Sequence, residues 1–257
     1  MEKLLIKNRK GQNISVIVEG SENQRGLVFV MHGLGGFKEQ VHIENFASTF
    51  LERSYTVVRF DTTNTLGESD GDYANATVTN YFEDLSDVIK WAKDRDWYME
   101  PFVLVGHSLG GICTALYAQK YPQKVKALAP ISTVVSGKLS VETYSKAKLK
   151  DWEKTGWLIK PSASKPGIMK KLKWSHLADR LKYDLLPDVS KLTMPVLLIV
   201  GEADTSTLPR HQKILFEKLP GPRELHIIKG APHTFVDAKH LEEIKRIILN
   251  WIDKELK

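Results

Sequence analysis

The stretch FVLVGHSLGGICTALYAQKYP, residues 102–122, decides the fold of this chain. It opens with an apolar run typical of a buried strand and continues, from Leu109 onward, with apolar residues at helical spacing. Ser108 lies between the two patterns within G-x-S-x-G, flanked at two residues' distance by Gly106 and Gly110. A chain that turns this sharply has no room for side chains beside the turn. The stretch therefore predicts a strained strand-to-helix turn that presents the Ser108 hydroxyl at a sheet edge.

Short apolar runs recur along the chain and alternate with helical patterns. The runs lie at residues 26–33, 55–61, 101–107, 125–131 and 194–201. Strands that are apolar on both faces belong to parallel sheets covered by helices on both sides. An alternating pattern over 13–20, after a turn, predicts an antiparallel hairpin ahead of them. Together these patterns indicate an α/β fold with a mostly parallel sheet.

Residues 134–188 interrupt this alternation, because they contain no strand-like apolar run. They include three tryptophans, a Pro/Ser/Lys stretch at 160–167 and the excess of basic over acidic residues. Residues 137–183 alone carry a net charge of +8, which leaves −2 for the rest of the chain. We interpret 134–188 as a helical insertion into a core formed by residues 1–133 and 189–257. We expect its tryptophans to line or cover a pocket.

Composition excludes several classes of protein. The formal net charge of +6 is confined to one segment rather than spread as a basic stripe, so nucleic acid is a poor candidate for a partner. The apolar runs are far shorter than a membrane span, and the N-terminus lacks the apolar core of a signal peptide. A single cysteine, Cys113, excludes a disulfide framework and a cysteine-based metal cluster. We expect a cytoplasmic protein with neither a cofactor nor a metal site.

A serine hydroxyl is a weak nucleophile unless a histidine, itself held by a carboxylate, removes its proton. His233 is the histidine in the expected place, since its segment GAPHTFVD follows the last strand-like run and precedes the last helix. Asp204 follows the apolar run VLLIV, where catalytic groups of open α/β sheets gather. Glu202 is the second candidate for the carboxylate. The order Ser108, Asp204, His233 is the one expected of a triad on this kind of sheet.

The tetrahedral intermediate of acyl transfer also needs hydrogen-bond donors for its oxyanion. One donor should be the backbone N–H of Leu109, directly after the serine. The other should come from the loop HGLGG, residues 32–36, where Leu34 is the best candidate. A phosphate-binding turn is the alternative interpretation of this loop, but HGLGG matches neither G-x-G-x-x-G nor G-x-x-x-x-G-K-[ST].

The motifs HGLGG, GHSLGG, GEAD and GAPHTF, in this order, resemble those of the α/β-hydrolase family over essentially the whole chain. The resemblance implies an eight-stranded, mostly parallel sheet with helices on both faces. It implies Ser108 as nucleophile, His233 as general base and then acid, and Asp204 as the residue that orients His233. It also implies Leu34 and Leu109 as the oxyanion donors.

Within that family the chain is similar to small carboxylesterases, cinnamoyl esterases and monoacylglycerol lipases. The similarity implies that 134–188 is a helical lid. These relatives often carry an R-G-H-G-x-S or N-G-H-G-x-S turn after the fourth strand. In this chain the corresponding segment is FDTTNTLGESDG, residues 60–71, which lacks the Gly-His pair but retains Gly67 and Ser69. That departure leaves the shape of the acyl pocket open.

The favoured hypothesis is a serine carboxylesterase that cleaves small to medium esters through an acyl-enzyme. Cinnamoyl (feruloyl) esterase and monoacylglycerol lipase are narrower alternatives, and a C–C or amide hydrolase would use the same triad. A non-catalytic binding protein on the same fold is the alternative from another class. We expect a small-molecule ester as partner and a monomer or homodimer. The basic lid is best interpreted as a solvated surface, although it could contact anionic lipid or attract acidic esters.

Overall fold

The computed structural model describes residues 1–20, 23–162, 165 and 167–256. Within them the strands are β1 (Glu2–Lys7), β2 (Asn13–Glu19), β3 (Gly26–Met31), β4 (Tyr55–Phe60), β5 (Phe102–His107), β6 (Val125–Ile131), β7 (Trp157–Pro161), β8 (Met169–Lys173), β9 (Val196–Gly201) and β10 (Arg223–Ile228). Eight of these strands form one sheet in the order β1-β2-β4-β3-β5-β6-β9-β10. The pairs β1–β2 and β2–β4 are antiparallel, and the remaining pairs are parallel. The predicted hairpin and mostly parallel sheet are confirmed.

Helices cover both faces of this sheet. They are α1 (Val41–Leu51), α2 (Val78–Ala92), α3 (Leu109–Lys120), α4 (Gly137–Val141), α5 (Lys146–Thr155), α6 (Ser175–Arg180), α7 (Pro209–Lys218) and α8 (Ala238–Glu255). Apolar residues of α1 and α8 form one buried cluster with the strands, and those of α2, α3 and α7 form another on the opposite face. Strands β3, β4, β5 and β9 are buried along their whole length, as expected of strands covered on both sides. In the described ranges, none of the helices is both long and apolar enough to cross a membrane.

The insertion differs from the prediction of a helical segment. It contains the short helices α4, α5 and α6, but also the antiparallel hairpin of β7 and β8. The hairpin escaped prediction because lysines occupy positions where a buried strand would carry apolar residues, so no apolar run marks it. Part of the predicted Pro/Ser/Lys stretch, at 163, 164 and 166, lies outside the described residues. A role for 134–188 as a lid stays a prediction.

The loop at residues 60–71 is organised by a buried ion pair. Lys38 Nζ lies 2.8 Å from an Asp61 carboxylate oxygen and 2.6 Å from Glu68, and the Lys38 and Asp61 side chains are fully buried. Asp61 also accepts hydrogen bonds from the backbone N–H groups of Lys38 and Glu68. Thr65 Oγ1 donates to the Gly36 carbonyl, which ties this loop to the loop at 32–36. The loop at 60–71 is therefore held in place by buried contacts, and it supports the loop at 32–36.

Replacing Lys38 with methionine should lower the free energy of unfolding by about 3–5 kcal/mol, because it leaves the buried Asp61 carboxylate without its cation. Lys3→Met is the matched control. Lys3 also pairs with Glu68, but its side chain is about half exposed, so the loss should stay below about 1 kcal/mol. Urea unfolding of both variants measures the difference. Equal losses would show that the buried pair does not stabilise the fold.

Candidate active site

Ser108 lies at a strained turn between β5 and α3. Its backbone has φ 55° and ψ −113°, a region that residues with a side chain rarely adopt. The two flanking glycines are required by close packing: a β-carbon at Gly106 would lie 2.4 Å from the Gly110 carbonyl oxygen, and one at Gly110 would lie 2.4 Å from that of His32. The turn therefore holds Ser108 at the carboxyl edge of the sheet, as the sequence predicts.

Ser108, His233 and Asp204 form a continuous chain of hydrogen bonds. His233 Nε2 lies 2.9 Å from Ser108 Oγ, and His233 Nδ1 lies 2.8 Å from Asp204 Oδ2. With Asp204 ionised, the Nδ1–H donates to the carboxylate, which leaves Nε2 free to accept the hydroxyl proton of Ser108. The structure thus brings together the three side chains that sequence order selects, in the arrangement that activates a serine.

Asp204 occupies a pocket of donors. Its Oδ1 accepts hydrogen bonds from the N–H groups of Ser206 and Thr207, each at 2.8 Å, and its Oδ2 accepts one from Thr207 Oγ1, also at 2.8 Å. Burial acts to raise the pKa of Asp204, but the hydrogen bond and positive charge of His233 and the bonds from Thr207 outweigh it and lower that pKa. Asp204 is therefore a carboxylate at neutral pH.

Glu202, the second candidate for the carboxylate, lies elsewhere. Its side chain accepts a hydrogen bond from the backbone N–H of Gly230 at 2.9 Å and is exposed. Of the two acids, Asp204 is the one placed against His233.

Thr207 is a site residue that the sequence analysis missed. Its hydroxyl donates to Asp204 Oδ2, and its oxygen lies 3.2 Å from His233 Nδ1. It therefore contacts both partners of the Asp–His hydrogen bond. The spacing D-T-S-T, residues 204–207, could have indicated it, because an aspartate often accepts hydrogen bonds from the residues two and three positions later.

Two further histidines support the loop that carries His233. His107 points away from the Ser108 hydroxyl, as expected, and its Nε2–H donates to the His233 carbonyl at 2.9 Å. The His42 ring packs against His107 with ring centroids 4.6 Å apart. Burial lowers the pKa of His42 to about 3 and holds that of His107 well below its usual value. Both rings are therefore neutral. The histidine that is hydrogen-bonded to Ser108 is His233.

The predicted oxyanion donors also lie beside Ser108. A β-carbon at Gly33 would lie 3.0 Å from Ser108 Cβ, so the loop at 32–36 passes directly over the serine. Leu34 and Leu109 line the same cavity as Ser108. Leu109 opens α3, and the first N–H groups of a helix have no partner within it. Among the described residues, neither the Leu34 nor the Leu109 N–H donates to a protein acceptor.

Ser108 opens into a cavity of about 600 Å³. The core contributes the loop at 32–36 and the loops carrying Asp204 and His233. The insertion contributes another part of the wall, formed by Val134, Thr143, Tyr144, Lys148, Lys160, Lys170 and Arg180.

The expectation that tryptophans of the insertion line this cavity is wrong. Trp152 is buried inside the insertion, its ring edge-on to Trp174 with centroids 5.5 Å apart, and its Nε1–H donates to the Leu172 carbonyl. Trp157 lies at the surface. A short insertion needs its aromatic residues for its own core, so the cavity wall is left to polar side chains.

Comparison with known proteins identifies the family. The profile of the family described as serine aminopeptidase, S33, matches residues 22–166, a range that includes the loop at 32–36 and Ser108. The chain belongs to this family of α/β hydrolases. The chain is also 25% identical over 240 residues to the mitochondrial palmitoyl-protein thioesterase ABHD10 of Bos taurus. The matched region covers 89% of this chain and 73% of that protein.

Solved α/β-hydrolase structures share the fold. Est1E from Butyrivibrio proteoclasticus, with ferulic acid bound, superposes with a TM-score of 0.83 at 21% identity over 98% of this chain and 99% of that one. Mouse ABHD10 superposes with a TM-score of 0.79 at 21% identity over 99% of both chains. At these identities the likeness extends to the architecture alone, which agrees with the family that the profile shows.

Proposed function

We propose that this hydrolase is a serine carboxylesterase that cleaves carboxylic esters through an acyl-enzyme on Ser108. The observation that carries the proposal is the hydrogen-bonded chain from Ser108 through His233 to Asp204, open to a cavity. A structural role alone does not explain a serine that is held at positive φ and whose hydroxyl is hydrogen-bonded to a histidine.

The geometry supports a two-step acyl transfer. His233 Nε2 takes the Ser108 proton as Oγ attacks the ester carbonyl, and Asp204 stabilises the imidazolium that forms. The N–H groups of Leu34 and Leu109 hold the developing oxyanion. His233 then gives its proton to the departing alcohol. A water molecule, activated by the same imidazole, releases the acid and restores Ser108.

A panel of substrates tests the reaction class. It contains p-nitrophenyl esters of increasing chain length, methyl hydroxycinnamates, monoacylglycerols, a palmitoyl thioester and an aminoacyl p-nitroanilide. The thioester and the anilide are included because the relative from Bos taurus is a palmitoyl-protein thioesterase and the family is described as serine aminopeptidase. We expect kcat/KM to be highest for an oxygen ester. Turnover of the thioester or the anilide alone would overturn the carboxylesterase assignment, and activity confined to hydroxycinnamates or monoacylglycerols would select those narrower alternatives.

Thr207 gives a prediction about positioning. Thr207→Val removes the hydroxyl but keeps the shape and the N–H bond to Asp204, so kcat for an ester should fall by about 10- to 100-fold, the effect of one hydrogen bond to a charged group. KM should change little, and the loss of a hydrogen bond to a buried carboxylate should lower the free energy of unfolding by about 1–3 kcal/mol. Thr207→Ser, which restores the hydroxyl, should recover most of the activity. An equal loss in both variants would show that the hydroxyl does not position Asp204 and His233.

A further inference from the structure

The wall that the insertion contributes to the cavity carries unpaired positive charge. Lys170 is 8% exposed and Arg180 is 6% exposed, yet both line the cavity, together with Lys160 and the more exposed Lys148. Of the described residues that line the cavity, none is an aspartate or glutamate. Among the described residues, no carboxylate oxygen lies within 4 Å of a charged nitrogen of these four side chains. Burying a cation without a counter-charge is unfavourable, so a bound anion would stabilise these side chains.

The β7–β8 hairpin shows that the lysines are placed inward by the fold. Lys160 and Lys170 are paired across its strands, on the same face as the buried Leu158 and Leu172. The opposite face exposes apolar side chains, namely Ile159 at 53% and Met169 at 55%. An amphipathic hairpin ordinarily turns its lysines to water. Here the polarity is reversed at the positions that face the cavity.

Lys170 also lies against the loop at 32–36. Its Cδ is 3.3 Å from where a β-carbon at Gly35 would stand, so its stem rests on the residue after Leu34. Its Nζ lies 5.4 Å from the centroid of the Tyr73 ring, and no anionic side chain accompanies that contact. Burial, with a smaller contribution from the charge of Lys160, lowers the pKa of Lys170 to about 8. An anion bound between Lys160 and Lys170 would offset both the burial of the Lys170 ammonium and its repulsion by Lys160.

Arg180 has a comparable environment at the end of α6. Its guanidinium packs over the Tyr144 ring, 5.7 Å from the centroid, and one nitrogen lies 3.4 Å from the Tyr144 hydroxyl. Its Nε is buried and has no hydrogen-bond partner within the part of the chain that the structure describes. The adjacent Asp179 does not serve as counter-ion, because it binds the Thr79 hydroxyl and backbone N–H. Arg180 therefore lines the cavity with no carboxylate partner among the described residues.

We propose that this wall, formed by Lys160, Lys170 and Arg180, binds an anionic group of the substrate, a carboxylate or phosphate carried on the acyl or the alcohol part of the ester. The inference rests on the proposed esterase function and names its substrate class: acidic esters rather than neutral ones. The solvated lysines expected from the sequence are thus, at these positions, a recognition surface inside the site.

Two matched pairs of substrates test the preference. Mono-p-nitrophenyl adipate is compared with p-nitrophenyl hexanoate, and 1-hexanoylglycerol 3-phosphate with 1-hexanoylglycerol. We expect kcat/KM of the anionic member to exceed that of its neutral partner by about ten-fold or more in at least one pair. The preferred pair shows whether the anion is an acyl carboxylate or a phosphate on the alcohol. A neutral ester that is preferred or equal in both pairs overturns the proposal.

Variants test the residues. Lys170→Met should lower the anionic-to-neutral ratio of kcat/KM by about ten-fold or more, and Arg180→Met should act in the same direction. Lys171→Met is the matched control, because it removes the same charge from the exposed face of the same strand and should leave the ratio unchanged. Lys170→Met should also melt at the same temperature as the unliganded wild type or higher, since it removes an unpaired buried charge. A lower melting temperature with an unchanged ratio would make Lys170 structural and overturn its role.

Binding without turnover separates this inference from the proposed function. Calorimetric titration of the Ser108→Ala variant with adipate and with glycerol 3-phosphate should show binding of at least one anion, weakened by adding Lys170→Met. If no ester is cleaved but an anion binds at Lys170, the esterase proposal fails and the anion site stands. If neutral and acidic esters are cleaved equally and neither anion binds, the anion site fails and the esterase stands.

Discussion

Replacing Ser108 with alanine is expected to lower kcat for the best ester of the panel by about 10⁴- to 10⁶-fold. The reason is geometric. The Ser108 hydroxyl is hydrogen-bonded to His233 Nε2 at 2.9 Å, and it shares its cavity with Leu34 and Leu109. Without it the cavity still binds an ester and holds its carbonyl, so substrate binding should persist. Stopped-assay kinetics with high enzyme concentrations measure the residual rate.

Ser132→Ala is the matched control for this substitution. Ser132 is another serine at positive φ, directly after β6; it is buried, and its hydroxyl has no hydrogen-bond partner in the described part of the chain. Its replacement should change kcat by less than about three-fold. Circular dichroism should show both variants folded. A Ser108→Ala protein that keeps more than a few per cent of wild-type kcat would contradict the assignment of Ser108 as nucleophile.

Replacing Asp204 with asparagine is expected to lower kcat by about 10⁴-fold. The amide can still accept hydrogen bonds from the N–H groups of Ser206 and Thr207, so the loop should keep its shape. What changes is the tautomer, because an amide N–H directed at His233 Nδ1 makes that nitrogen the acceptor and moves the ring proton to Nε2. His233 could then no longer take the proton of Ser108.

Glu202→Gln is the control for Asp204→Asn. It makes the same chemical change two residues earlier, on an exposed side chain whose partner is the Gly230 N–H. We expect kcat to stay within about two-fold of wild type. A large loss in Glu202→Gln together with a small loss in Asp204→Asn would reverse the assignment of the carboxylate.

Much of the site could be predicted because its residues follow backbone patterns. Ser108 lies in a turn whose glycines are dictated by packing, and Asp204 lies just beyond a run of apolar residues that marks a buried strand. Parallel strands bring their carboxyl ends to one sheet edge, so chain order was enough to group these residues with His233. The catalytic roles of the three residues, the cellular location and the oligomeric state remain predictions.

Other features could not be predicted because they depend on contacts between distant segments. Thr207 matters only through the direction of its hydroxyl, and the ion pair of Lys38 with Asp61 joins two loops that no periodic pattern links. The β7–β8 hairpin was predicted as helix because Lys160 and Lys170 replace apolar residues on its inner face. Lysines at inward-facing strand positions break the usual alternation of apolar and polar residues. Such breaks are expected at functional surfaces, and Lys160 and Lys170 are part of the proposed anion site.

The most direct measurement of the central claim is covalent labelling of the native protein with a fluorophosphonate, followed by peptide mass mapping. Phosphonylation requires a serine activated by its histidine, so it reports the state of the nucleophile without any choice of ester. We expect one modified residue, Ser108, with labelling abolished in Ser108→Ala and strongly slowed in Asp204→Asn. Labelling that persists in Ser108→Ala, or no labelling of the wild type at all, would contradict it.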